Sequence, residues 1–120
     1  MATIVYTKDA PEPIGPYSQA IRVGDTLYSS GQIAIGNLED GIGVQTRTVC
    51  ENIVSILAAA DMTVEHVVKT TCYLVQMNDF DDFNEVYGEF FSHKPARSTV
   101  EVSALPKNAL VEIDFVAVRD

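Results

Sequence analysis

Three observations predict an α+β fold for this 120-residue chain, a mixed sheet with two helices packed on one face. Short runs of alternating apolar residues open and close the sequence. Two interior segments switch to a three- and four-residue apolar period, and a long β-prone run separates them. The order is therefore β-β-β-α-β-α-β-β. No internal repeat or low-complexity tract interrupts it. Residues 1–120 read as one domain, a length that buries roughly two-thirds of the unfolded surface.

Thr3 to Tyr6 is a short β-prone run, ended by the breaker Asp9-Ala10-Pro11-Glu12-Pro13. Gln19 to Val23 and Thr26 to Ile35 flank Gly24-Asp25 and read as a hairpin. Residues 36–43 form a polar loop punctuated by glycine. From Val44, the residues Val49, Ile53, Ile56, Leu57 and Ala60 recur at helical spacing. Gln45, Arg47, Glu51 and Asn52 fall between them, which predicts an amphipathic helix of about four turns. Val67 to Met77 reads as a strand with Val68, Thr70, Cys72, Leu74 and Gln76 on one face. Asn78 or Asp79 is placed to cap the next helix. Phe80, Phe83, Val86, Tyr87, Phe90 and Phe91 line one side of that helix and read as core. Two alternating runs, from Pro95 to Val102 and from Leu110 to Val118, close the chain through Leu105-Pro106-Lys107-Asn108.

Composition narrows the function classes. A chain that is 47% hydrophobic and 21% charged belongs with folded proteins. The formal charge of -9, with no Lys/Arg run, disfavours nucleic-acid backbones. No apolar run approaches the roughly 20 residues of a membrane-spanning helix, and the first residues lack a secretory pattern. Cys50 and Cys72 are too far apart for a zinc site or a redox pair, so reduced thiols and a cytoplasmic location are expected. His66 and His93 lie in no ligand-spaced cluster, so no metal is expected.

Two charged residues sit where a purely structural sheet has no need of them, Arg97 and Glu112. A guanidinium is a planar fork of donors that fits a carboxylate bidentately, and a carboxylate can hold or activate a water. Together they suggest a pocket that captures a small acid and adds water to it. The ordinary alternatives are a surface ion pair for Arg97 and a solvated face, shared with Asp114, for Glu112.

Several blocks carry a wider resemblance. Ile14-Gly15-Pro16-Tyr17-Ser18-Gln19-Ala20 and Ser29-Ser30-Gly31-Gln32-Ile33 stand in the first third. Val68-Lys69-Thr70-Thr71 and Asn78-Asp79-Phe80, with Asn84, Tyr87, Phe90 and Phe91, occupy the middle. Pro95-Ala96-Arg97-Ser98, Val100-Glu101-Val102 and Leu105-Pro106-Lys107 follow. In this order, over nearly the whole chain, they resemble the RidA/YjgF family of enamine/imine deaminases.

The resemblance implies a chorismate-mutase-like α+β fold assembled as a homotrimer with ligand clefts between subunits. It implies hydrolysis of 2-aminoacrylate and 2-aminocrotonate to 2-oxo acids and ammonia, without a cofactor. Carried over by position, Arg97 binds the substrate carboxylate and Glu112 positions or activates the water. Tyr17, Ser30, Gly31, Asn84 and Thr99 contact or border the substrate. Taken alone, Ser30-Gly31 also reads as a bulge or a close backbone approach, Tyr17 as an anchoring aromatic, and Asn84 as a solvent-facing helix residue. Thr99 stands where many members carry Cys, and the Ser92-His93-Lys94 segment is shorter than in many relatives. The rival of another class is a non-catalytic trimeric module that binds small 2-oxo acids through the same Arg97.

Overall fold

The computed structural model describes residues 1–120. Six strands form one sheet in the order β1-β2-β3-β6-β4-β5. They are β1 (Ala2–Val5), β2 (Ala20–Val23), β3 (Thr26–Ser29), β4 (Val67–Leu74), β5 (Ala96–Glu101) and β6 (Val111–Val118). Helices α1 (Ile42–Ala59) and α2 (Phe80–Phe90) complete the expected order of elements. All neighbouring strands run antiparallel except β4 and β5. Those two are joined by α2, and a parallel pair needs such a crossover.

Both helices cover one face of the sheet. Alternation along β6 buries Val111, Ile113, Phe115 and Ala117, which meet Val49, Ile53, Ile56 and Leu57 of α1 in a single core cluster. From α2, Phe83 and Tyr87 enter the same cluster, as does Phe91 at its C-terminal cap. Asp81 and Asp82 in the first turn of α2 complement the positive end of its dipole.

Four local departures from the sequence reading have physical causes. The strand expected to run to Ile35 ends at Ser29, because Ser30-Gly31 leaves the ladder and only Gln32 returns to pair with Ile113. The hairpin turn itself is as read, Val23 pairing with Thr26 and Gly24 taking the left-handed conformation the turn requires. Helix α1 starts at Ile42, inside the stretch read as loop, since Ile42 is buried and anchors the first turn. In β4 a register shift between Val67 and Lys69 turns Val67 inward and Val68 out to solvent, and the strand ends at Leu74. Asp79 occupies the α2 cap position with no side-chain cap bond, because a tight turn over Met77–Asp79 leads straight into the helix.

Two glutamines hold loops, Gln45 from what periodicity gives as the polar side of α1 and Gln19 from the start of the first hairpin strand. Gln45 is fully buried, its amide donating to the carbonyls of Leu38 and Asp40 while its oxygen accepts from the Leu110 N–H. Gln19 accepts from the Thr7 N–H and donates to the carbonyls of Thr7 and Pro11. Gln45→Leu keeps the volume and strands three backbone groups, so it is expected to cost about 2–4 kcal/mol. Equilibrium urea unfolding of parent and variant measures it, and a loss below 1 kcal/mol contradicts the staple.

Candidate functional site

The first of two open clefts is built on Arg97. Thr70 of β4 faces both Arg97 of β5 and Phe115 of β6, and all three project under the helices. From there Arg97 reaches α2, where its Nη1 donates to Asn84 Oδ1 at 2.7 Å. The guanidinium carbon lies 4.8 Å from the ring centre of Tyr87, 5.5 Å from Phe80 and 5.7 Å from Phe83. No carboxylate pairs with it. The one ion pair in the structure joins Arg47 to Glu89 elsewhere on the surface. Arg97 lines a cleft of about 350 Å³ together with Asn84, Tyr87, Gly88, Phe91, Lys94 and Pro95.

Thr99 lies two residues further along the same face of β5, in register with Cys72. Its buried hydroxyl oxygen has no hydrogen-bond partner. Because β5 is an edge strand, one side of its backbone is free of ladder partners at this point.

The second cleft, of about 430 Å³, lies on the opposite face of the sheet. Tyr17, Ser30, Gly31, Glu112 and Asp114 line it, together with Ile14, Ser29 and Pro106. Glu112 pairs in register with Tyr73, away from the helices. Its carboxyl group folds directly over Gly31: a Cβ added there would stand 2.6 Å from Glu112 Cδ and 2.9 Å from Cγ. Glycine is therefore the residue that admits this side chain. Ser30 leaves the ladder just before it, its N–H donating to the Gln19 carbonyl and its hydroxyl to that of Ser18. Tyr17 stands half-exposed at the rim, its hydroxyl accepting from the Ile14 N–H at 3.2 Å.

Burial raises the Glu112 pKa above the ordinary carboxylate range, and repulsion from Asp114 raises it further. Asp114 is likewise raised by burial, against a hydrogen bond from the Tyr73 hydroxyl that lowers it. Each thiol is buried. Cys72 is pushed up to about 11 and Cys50 beyond the usual thiol range, both by desolvation, so both stay protonated and unreactive near neutrality. His66 closes a capping box with Thr63, and His93 meets the Val67 carbonyl. Neither imidazole lines a cleft, and His, Cys, Asp and Glu side chains nowhere converge in a group of three.

The structure thus sorts the residues singled out in the sequence into two sets. Arg97, Asn84 and Thr99 are on the helix-covered side. Tyr17, Ser30, Gly31 and Glu112 are on the open side. Arg97 and Glu112 do not meet within one chain, so the single pocket suggested by their chemistry is not formed by one copy. Tyr87, Phe80 and Phe83, core by their helical spacing, also face the Arg97 cation. A signal was present: Phe80, Asn84 and Tyr87 are four and seven residues apart, which places them on one helix face.

A family model described as Endoribonuclease L-PSP matches residues 7–119. The chain belongs to this family, the RidA/YjgF family. A RutC family protein of Pyrococcus horikoshii is 50% identical over 126 residues, covering 100% of both chains. The solved structure of E. coli TdcF with bound serine superposes with a TM-score of 0.94 at 37% identity, covering 98% of this chain and 99% of TdcF. RidA from the Antarctic bacterium Psychrobacter sp. superposes at 0.93 with 38% identity, again over 98% and 99%.

The close approach of Gly31 and Glu112 yields a test on this RidA-family chain itself. Gly31→Ala is expected to expel the Glu112 carboxyl into solvent and return its pKa toward the ordinary carboxylate range. Asp114→Asn is expected to lower the same pKa by less, because burial outweighs the neighbouring charge. Carboxyl-carbon NMR titration of Glu112 reads both shifts. An unmoved titration in Gly31→Ala overturns the account.

Proposed function

We propose that this chain is a cytoplasmic reactive-intermediate deaminase, a single domain spanning residues 1–120 that hydrolyses 2-enamine and 2-imine acids such as 2-aminoacrylate and 2-aminocrotonate. The observation that carries the reading is Arg97: a half-buried guanidinium with no carboxylate of its own, lining an open cleft. A small carboxylate is the natural complement to that fork. The serine bound in the TdcF structure is a ligand of that chemical kind.

The same geometry calls for a second copy. With Arg97 and Glu112 on opposite faces, the complete site is a cleft between subunits, Arg97 from one and Glu112, with Tyr17, Ser30 and Gly31, from its neighbour. The sheet face opposite the helices supports this assembly. Ile4, Ile21, Tyr28 and Val116 lie in register across four strands there, with Ile4 67% and Tyr28 50% exposed. An uncovered apolar stripe of this extent favours an interface, and we assign it to a homotrimer.

In that cleft the enamine tautomerises to the imine, and Arg97 holds the carboxylate with the backbone N–H of Thr99 beside it. Water adds its oxygen to the imine carbon while Glu112 accepts a proton from it. Glu112 passes that proton to the imine nitrogen to give the carbinolamine, then takes the proton of its hydroxyl and delivers it to the same nitrogen. The C–N bond breaks as the C=O bond forms, and ammonia leaves with the 2-oxo acid as product. The raised Glu112 pKa suits a group that takes up and gives back a proton. Every step is served by side chains and water, so no cofactor enters the proposal. The charge of -9 and the absence of imidazole from both clefts weigh against action on RNA.

Ammonia release during in-situ generation of 2-aminoacrylate tests the activity. Arg97→Ala is expected to lower kcat/KM at least about 100-fold, and Arg97→Lys to stay poor because a point charge cannot replace the fork. Arg97→Ala and Glu112→Gln, each inactive alone, are expected to regain up to about a quarter of parent activity when unfolded together and reassembled, since mixed oligomers recreate intact clefts. Complementation that never exceeds the separate variants overturns the shared cleft. Carboxylate binding without turnover in the parent turns the reading to the binding module.

A further inference from the structure

The Arg97 cleft contains a device that neither the family match nor the proposed chemistry uses. Thr70 and Arg97 are register partners on β4 and β5. Tyr87 reaches over both from α2, its hydroxyl 2.7 Å from the Thr70 hydroxyl and its ring centre 4.8 Å from the Arg97 guanidinium carbon. The three side chains close a loop between two strands and a helix. Thr70 is fully buried and Tyr87 nearly so. A hydroxyl pair in such a place is costly unless each satisfies the other. Phenylalanine would fill the same space, so the hydroxyls serve to hold the ring at one angle. Burial pushes the Tyr87 pKa up to about 12, which keeps the ring neutral at any working pH.

Arg97 also lacks a counter-ion. Arg47 also lies over an aromatic ring of α2, Phe90 at 5.8 Å, but it is paired with both carboxylate oxygens of Glu89 at 3.0 Å. Arg97 has three ring faces, one amide oxygen and no carboxylate. The single bond to Asn84 fixes one nitrogen and leaves the guanidinium free to tilt about it. A flat ring beneath the cation removes that freedom, because the attraction between a guanidinium and a ring face favours one stacked orientation. A ring face stabilises the charge while leaving the remaining donors unoccupied.

We propose that Tyr87 is a positioning residue for the carboxylate-binding arginine, its ring setting the plane of Arg97 and Thr70 locking the ring. This rests on the reading of Arg97 as the carboxylate anchor. The two can fail separately.

The test replaces Tyr87 in the full chain with Phe and then with mono-, di- and trifluorinated Phe. This series keeps the shape of the side chain while stripping negative charge from the ring face. The probe is 2-oxobutanoate, with its Kd measured by titration calorimetry, alongside KM and kcat for in-situ 2-aminocrotonate. Kd and KM are expected to rise stepwise, reaching about five- to tenfold between Phe and trifluoro-Phe, with kcat within about twofold. Thr70→Val is expected to weaken 2-oxobutanoate binding by about threefold, with no added effect once Tyr87 is Phe. A purely structural role would move the melting temperature without this graded response. A flat Kd across the series, on a parent that binds 2-oxobutanoate, overturns the positioning role and leaves the anchor standing. No binding by the parent overturns both.

Discussion

Strand β4 is the constraint on which the rest of the molecule depends. It pairs antiparallel with β6 and parallel with β5, so one eight-residue segment sets the register of both strands that carry the charged side chains. Side chains in a strand alternate strictly between faces. Once Thr70 and Cys72 are buried under the helices, Arg97 and Thr99 must share their side, and Glu112 must share the other with Tyr73. A slip of one residue would carry every side chain of the slipped strand to the wrong face. The buried hydrophobic set of β6 makes such a slip prohibitive.

That arrangement leaves uncompensated charge on both faces. On one side a guanidinium has aromatic rings and an amide oxygen but no anion. On the other, Glu112 and Asp114 are both half-buried and both held above their ordinary pKa. The exposed Arg47–Glu89 pair is worth roughly 0–1 kcal/mol, and Arg22 and Arg119 end on backbone carbonyls. Arg97 differs from all three in resting on rings and an amide oxygen. The unpaired groups are tolerable because each has a local substitute for its missing partner. Ring faces contribute about 0.5–2 kcal/mol toward holding the cation, and the half-exposed carboxylates keep contact with solvent, Asp114 also accepting from the Tyr73 hydroxyl.

Placement of these groups relies on backbone devices as well as on side chains. Gly31 lets the Glu112 carboxyl fold against the chain, and Ser30 pulls the strand end toward the Gln19 segment. Gln19 in turn ties the loop through Thr7 and Pro11 that leads into Tyr17. Stability and site geometry are therefore coupled on the open face, where irregular chain is held by amide side chains. On the helix-covered face the site rests directly on the hydrophobic core.

Much of this was legible in the sequence, and the division has a physical basis. Element type and order follow from local periodicity, because burial on one face imposes a period of two in Val111–Val118 and a longer one from Val49 to Ala60. The Arg97 block and Ser30-Gly31 were visible as chemistry, and Ser30-Gly31 was also readable as the bulge and close approach it forms. Gln45 was not legible as buried, since its partners lie in a preceding loop and 65 residues ahead. Nor was the inward turn of Val67, which depends on a register shift against β6. Tyr87 read as core because helical spacing reports burial and says nothing of what a ring faces. Above all, the sequence by itself determined which residues carry ionisable and hydrogen-bonding chemistry and which elements hold them. Only the tertiary structure decided that Arg97 and Glu112 look in opposite directions, because strand pairing joins segments distant in the chain and its register assigns each side chain to a face.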